Sequence, residues 1–173
     1  KLELEAIKKV RTKYKNLHLM IPFVRSPQEL KSVRSLVLDS GLFEDKLFQF
    51  FMMVELPTNV IQLEEYIKVG INGVSIGSND LTMLILGVDR DNAGVQSEFN
   101  EMDASVLWSL KKIVQTCNFY KIDCSICGQA PSIYPQLTEK LVSWGINSIS
   151  VNPDRVEQTR QLIYEAEKKL LNK

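Results

Sequence analysis

Apolar residues follow two alternating patterns along this chain, a helical spacing and short unbroken runs, so helix and strand are expected in turn. Leu2, Ala6, Val10 and Tyr14 share a helical spacing and lead into the apolar run Leu17–Val24, which closes in Pro22-Phe23-Val24-Arg25. Ser26-Pro27-Gln28-Glu29 reads as a helix start. Ser26 caps it, Pro27 takes the first helical position and Glu29 completes a capping box. Leu30, Val33 and Val37 face inward, and Gly41 ends the helix. The run Leu47–Val54 predicts a strand buried on both faces. A single helix over Thr58–Val69 stops at Gly70, a short strand covers Val74–Ile76, and Asp103 caps a helix reaching about Tyr120. Ile122–Cys127 is a fourth strand, Pro135–Trp144 a helix ended by Gly145, and Ser148–Val151 a fifth strand. Asn152-Pro153-Asp154 opens a last, charged helix. Gly87–Met102 stands apart as a polar stretch without periodicity, and a loop that long is usually functional or mobile. The pattern shows no internal repeat and no linker.

Strands alternating with helices mean an α/β fold with a parallel sheet and helical crossovers, in a single domain spanning residues 1–173. Composition narrows the functional classes. Basic and acidic side chains balance at 21 each without a run of like charge, which argues against nucleic-acid binding. The clearest apolar stretch, Leu47–Leu56, is interrupted by Gln49 and Glu55 and is too short to span a membrane. Lys1–Tyr14 is charged and helix-patterned, unlike a signal peptide. The three cysteines are an odd number, which disfavours a disulfide framework and makes a reducing cytoplasm the expected setting. The chain begins inside a helix, so a piece of a longer protein is expected.

The candidate chemistry lies where strands give way to loops, the place at which reactive groups gather in βα units. The strands end in Arg25, in Glu55-Leu56-Pro57, in Gly77-Ser78-Asn79-Asp80 and in Cys127-Gly128-Gln129. Glu55 and Asp80, from adjacent strands, suit Mg²⁺, which takes one or two carboxylates and completes its shell with water and substrate oxygens. Taken singly, each residue has a plain structural reading. Glu55 would be a helix cap or ion-pair partner, Asn79-Asp80 a cap of the next helix, Cys127 a small buried hydrophobe, and Arg90 a partner for Asp89 and Asp91. Their recurrence at consecutive strand ends favours an active site. Cys124 and Cys127 form a CxxC, but residues three apart on a strand point to opposite faces, so zinc or redox chemistry is not expected. His18 reads as structural, and Trp108 and Trp144 as packing residues.

These residues resemble a known family. Met20–Arg25, Glu55–Asn59, Ser75–Thr82, Leu86–Asp91 and Ile126–Ser132 look, in order, like successive signatures of the C-terminal domain of PEP-utilising enzymes. That group includes phosphoenolpyruvate synthase, pyruvate, phosphate dikinase and enzyme I of the sugar phosphotransferase system, and Gln129-Ala130-Pro131-Ser132 looks most like the synthase. The resemblance implies a partial TIM (β/α)8-type barrel, of which about five parallel strands, the fourth to the eighth, are present out of eight. It implies Mg²⁺ on Glu55 and Asp80, substrate contacts from Gly77, Ser78, Asn79, Asp80 and Arg90, and Cys127 as the acid/base at the pyruvate methyl carbon. It further implies pyruvate and phosphoenolpyruvate as ligands, a phosphohistidine domain elsewhere in the parent chain, and association as a homodimer. Ile133, Ser125 and Met83 depart from the family pattern, where an acidic residue, a glycine and a glutamine are expected. The isolated chain is expected to be inactive, and the competing reading is a non-catalytic dimerisation module.

Overall fold

All five expected strands form, and each pairs in parallel with the next along the chain, giving the sheet order β1-β2-β3-β4-β5. The computed structural model describes residues 1–172. The elements run α1 (Leu2–Arg11), β1 (Leu19–Ile21), α2 (Pro27–Asp39), β2 (Phe50–Val54), α3 (Pro57–Ile61), α4 (Leu63–Lys68), β3 (Gly73–Gly77) and α5 (Ser78–Leu86). They continue with α6 (Ala104–Tyr120), β4 (Asp123–Cys127), α7 (Ala130–Ile133), α8 (Pro135–Trp144), β5 (Ser148–Ile149) and α9 (Val156–Leu171). The sheet does not close, so the fold is a partial TIM-barrel-type α/β structure with β1 and β5 at its edges. No helix of the described residues is long and apolar enough to cross a membrane.

Register is set by a device that recurs. Gly70-Ile71-Asn72 precedes β3 and Gly145-Ile146-Asn147 precedes β5, a short repeat that the hydrophobic pattern alone does not reveal. Asn72 Oδ1 accepts from Phe50 N–H at 2.8 Å, and Asn147 Oδ1 accepts from Cys124 N–H at 2.8 Å. Each asparagine also donates its own N–H to the carbonyl of the same residue, at 2.8 and 3.0 Å. An amide so placed satisfies both backbone groups at the start of the preceding strand and fixes which residues face each other.

Several expectations are corrected. The strand expected over Leu47–Val54 is shorter, and it is not buried on both faces. Phe50, Met52 and Val54 are buried against helices, while Phe51 and Met53 are only half-buried on the open side. That side is the one a closed barrel would fill, and among the described residues no second layer covers it. The helix expected over Thr58–Val69 breaks at Gln62 into α3 and α4. In α1 the inward stripe is Leu4, Ile7 and Arg11, while Leu2, Val10 and Tyr14 are exposed. Arg11 is buried because its guanidinium donates to the carbonyls of Lys15 and Leu17 and to Asp45. Trp108 is 63% exposed, because the buried stripe of α6 is Val106, Leu110, Ile113, Val114 and Cys117 and Trp108 lies off it. Ser26 Oγ does accept from Glu29 N–H, but the Glu29 carboxylate reaches Arg25 N–H, one residue earlier than a reciprocal box requires. His18 is structural, as expected: its Nδ1 accepts from Gln49 N–H, and its ring meets Phe51 edge-on.

Candidate functional site

Glu55 follows β2 directly and is held by its own local sequence. Asn59, in the first turn of α3, reaches back so that Oδ1 accepts from the N–H groups of Glu55 (3.2 Å) and Leu56 (3.0 Å). This is half of a capping box, since Leu56 has no side-chain acceptor to complete it. Asn59 Nδ2 donates to Val24 C=O at 2.7 Å, and Tyr66 Oη reaches the same carbonyl at 3.5 Å. That grip holds the turn after β1, where Phe23 takes φ 54°, a left-handed conformation unusual for a bulky side chain. The turn aims Phe23 N–H at the Glu55 carboxylate, which accepts at 2.5 Å.

Glu55 is only 4% exposed, and burial raises its pKa above the ordinary carboxylate range. The Phe23 N–H opposes this, and the negative charge of Asp80 adds to it. Asp80 stands in the first turn of α5, which opens as soon as β3 ends. The N-cap is Gly77, so Asn79 and Asp80 are first-turn residues rather than caps. Glu55 lies against Gly77 so closely that a Cβ there would approach its Oε2 to 2.9 Å. On the other side, Gly77 is the register partner of Cys127, whose thiol donates to Ile76 C=O at 3.5 Å. Glu55, Gly77 and Cys127 thus stand side by side at one end of three adjacent strands, with Asp80 in the turn that follows. Cys127 is half-buried, whereas Cys124 is fully buried and hydrogen-bonded to Cys117, which with desolvation drives its pKa far up.

Two further residues join from the long loop. Arg90 bypasses Asp89 and Asp91: its Nη1 donates to the Asn79 amide oxygen at 3.0 Å, in the amide orientation that satisfies both neighbours. In that orientation Asn79 Nδ2 donates to Glu101 Oε1 at 3.3 Å, and Ser78 Oγ donates to the same oxygen at 3.0 Å. Glu101 is 2% exposed, and burial raises its pKa against the lowering effects of the Ser78 hydroxyl and the Arg90 charge. Gly128, at φ 111°, completes the closure, because a Cβ there would run into Ser78 Oγ. Sequence reasoning missed Glu101 and Asn59. Glu101 is one of several acidic residues near an irregular loop, and nothing in its neighbours marks it. Asn59 carried a weak signal, an amide at the third position of a proline-started helix.

The structure therefore brings together Glu55, Gly77, Ser78, Asn79, Asp80, Arg90 and Cys127, the full expected set. Among the described residues no group of three or more His, Cys, Asp or Glu side chains gathers as a metal cage. The donor set still fits a hard cation that keeps most of its water. Glu55 is desolvated beside a second carboxylate, and a divalent ion between the two would relieve that repulsion.

The family model for the PEP-binding domain of PEP-utilising enzymes matches residues 1–168. A probable phosphoenolpyruvate synthase of Archaeoglobus fulgidus is 42% identical over 98% of this chain and 22% of its own length. The phosphoenolpyruvate synthase of Aeropyrum pernix is 42% identical over 99% of this chain and 21% of its own length. That of Helicobacter pylori is 44% identical over 90% and 19%. The chain spans about a fifth of the length of these relatives.

Proposed function

The chain belongs to the PEP-utilising enzymes, matching their PEP-binding domain, and on that premise we propose that it forms the enolpyruvate-binding part of a phosphoenolpyruvate synthase-like phosphotransferase. The parent protein in this reading converts pyruvate and ATP to phosphoenolpyruvate through a phosphohistidine carried by another domain. The observation that carries the reading is the row Glu55, Gly77, Cys127 across the ends of β2, β3 and β4, with Asp80 one turn on. Glu55 and Asp80 are the residues that would hold Mg²⁺. Bound there, the ion supplies positive charge that favours the enolate form of pyruvate.

The remaining roles belong to the chain's own groups. Cys127 exchanges a proton with the pyruvate methyl carbon, a thiol being able to serve as acid and, as thiolate, as base. Asn79 and Arg90 hold the anionic groups of the substrate, with Ser78 and the backbone at Gly77 lining the approach. Phosphoryl transfer itself depends on positioning and charge neutralisation, to which Arg90 contributes.

The test uses the full-length parent protein. Cys127→Ala is expected to abolish solvent exchange of the pyruvate methyl protons, followed by NMR, while ATP-dependent histidine phosphorylation continues. Undiminished exchange would remove Cys127 from this role. The isolated chain is expected to form no phosphoenolpyruvate, since the phosphoryl donor lies outside it.

A further inference from the structure

Asn79 and Arg90 have tasks in the proposed function, whereas the buried carboxylate beside them has none. Glu101 comes from the far end of the loop over residues 87–102, which also supplies Arg90, and the two converge on one asparagine. An amide placed between a carboxylate and a guanidinium has one favourable orientation, with nitrogen toward the acceptor and oxygen toward the donor. The opposite orientation would set the amide oxygen against Glu101 and the nitrogen against Arg90, keeping only a 3.5 Å bond from Gln129 N–H. Glu101 Oε1 accepts from Ser78 as well, so a single oxygen fixes two consecutive residues of the strand-end turn.

We propose that Glu101 is a positioning residue for substrate binding: it fixes the Asn79 amide with its oxygen on Arg90, and so offers the amide to an anionic ligand as a donor. The inference rests on the proposed function. Asn79 Nδ2 has a second N–H, which no acceptor takes among the described residues. A carboxylate or phosphate oxygen accepts that proton, whereas a reversed amide would present a lone pair and repel the same ligand. The loop over residues 87–102 is then part of the substrate site, pinned to it at both ends.

Glu101→Leu removes the acceptor at similar volume, while Glu101→Gln can keep an amide oxygen where Oε1 stands and retain both hydrogen bonds. In the full-length parent, Glu101→Leu is expected to raise the pyruvate KM about tenfold or more with a smaller change in kcat, the signature of lost ground-state binding. Glu101→Gln is expected to stay within about threefold of the wild-type KM. Histidine phosphorylation by ATP should be unchanged in both variants. A wild-type KM for Glu101→Leu overturns the proposal, and so does a Gln variant as impaired as Leu, which would assign the effect to charge rather than to amide orientation. Should the Leu variant not fold, the side-chain amide of Asn79 in ¹⁵N-labelled wild type, assigned by its loss in Asn79→Asp, decides the same question. Protected protons support the inference, and free-solvent shifts and exchange refute it. Failure of the functional reading would look different, as methyl-proton exchange persisting in Cys127→Ala.

Discussion

Asn59→Ala isolates the residue that aligns Glu55 while doing no chemistry itself. The side chain is fully buried and serves three backbone groups: the N–H of Glu55, the N–H of Leu56 and the C=O of Val24. Those residues are themselves buried, so truncation leaves two donors without partners and the Val24 carbonyl with only the 3.5 Å Tyr66 hydroxyl, rather than returning them to water. Each orphaned group costs about 1–3 kcal/mol, and partial relaxation keeps the sum toward the low end, about 3–5 kcal/mol. That is a large share of the roughly 5–15 kcal/mol by which a domain is folded. With a urea m-value of about 2 kcal/mol/M, the midpoint should fall by about 1.5–2.5 M. The assay is urea unfolding followed by far-UV circular dichroism, with Gln62→Ala as control. Gln62 is exposed and makes one surface contact to Thr58, so its removal should cost under about 0.5 kcal/mol. A loss below about 1 kcal/mol for Asn59→Ala would refute the argument, because the three bonds could then not be what holds Glu55 and the turn after β1.

Other outcomes follow from the same geometry. Gly128→Ala and Gly87→Ala both force alanine into positive φ, but only at Gly128 does the new Cβ meet Ser78 Oγ, while Gly87 has open space. Gly87→Ala should cost about 1 kcal/mol and Gly128→Ala clearly more, about 2–3 kcal/mol; equal thermal midpoints would refute the close approach. Asp45 is lowered to about 2 by the Leu47 N–H, then Lys15 and Arg11, so its folded pKa lies below its unfolded one. Its contribution is therefore present above the unfolded value near 3.8 and lost as pH falls through about 2. The gap in thermal midpoint between wild type and Asp45→Asn should close across that window. Glu55→Gln should raise the midpoint of the metal-free chain, since it removes a desolvated charge beside Asp80 and still accepts from Phe23 N–H. The wild type should gain midpoint with added Mg²⁺ and the variant should not, by about 1.4 kcal/mol at a concentration tenfold above Kd; equal gains would exclude Glu55 as a ligand.

How much was legible follows the physics of each feature. The strands announced themselves because a parallel sheet needs apolar runs. Helix ends such as Ser26-Pro27 and Trp144-Gly145 were readable because caps use few residue types. Burial on both faces of β2 was wrongly expected, since the same run Phe50–Val54 serves a closed barrel and an open sheet alike. The break at Gln62 had no local signal, and neither did the inward turn of Arg11, which follows from its contact with Asp45 across the fold. The Gly-Ile-Asn repeat that carries Asn72 and Asn147 was missed, because its meaning appears only once each asparagine is seen to grip the preceding strand. At the site, Glu55, Asp80 and Cys127 stood out because reactive side chains at strand ends are unusual, whereas Arg90, in the long loop, was marked only by the family resemblance. Asn59 and Glu101 did not, because an amide and a carboxylate near a helix start are common whether or not they hold anything.

That division separates the groups that react from the groups that hold them. Glu55 is fixed from four residues away by Asn59 and across one strand by the Phe23 N–H, while Cys127 is fixed by its register with Gly77. Every one of these contacts joins neighbouring strands or residues of one turn, and the strands pair in chain order. The closures span 4 residues for Asn59 and 32 for Phe23, and closure entropy grows only slowly with loop length. The row of Glu55, Gly77 and Cys127 is therefore specified within the segment from β1 to β4, without β5. Arg90 is different, since its place depends on a long polar loop closing onto Asn79, with Glu101 bonded there from the other end of that loop. In the proposed function, metal binding and proton transfer would therefore rest on groups held by the sheet, and recognition of the substrate's charge on an arginine held by the long loop.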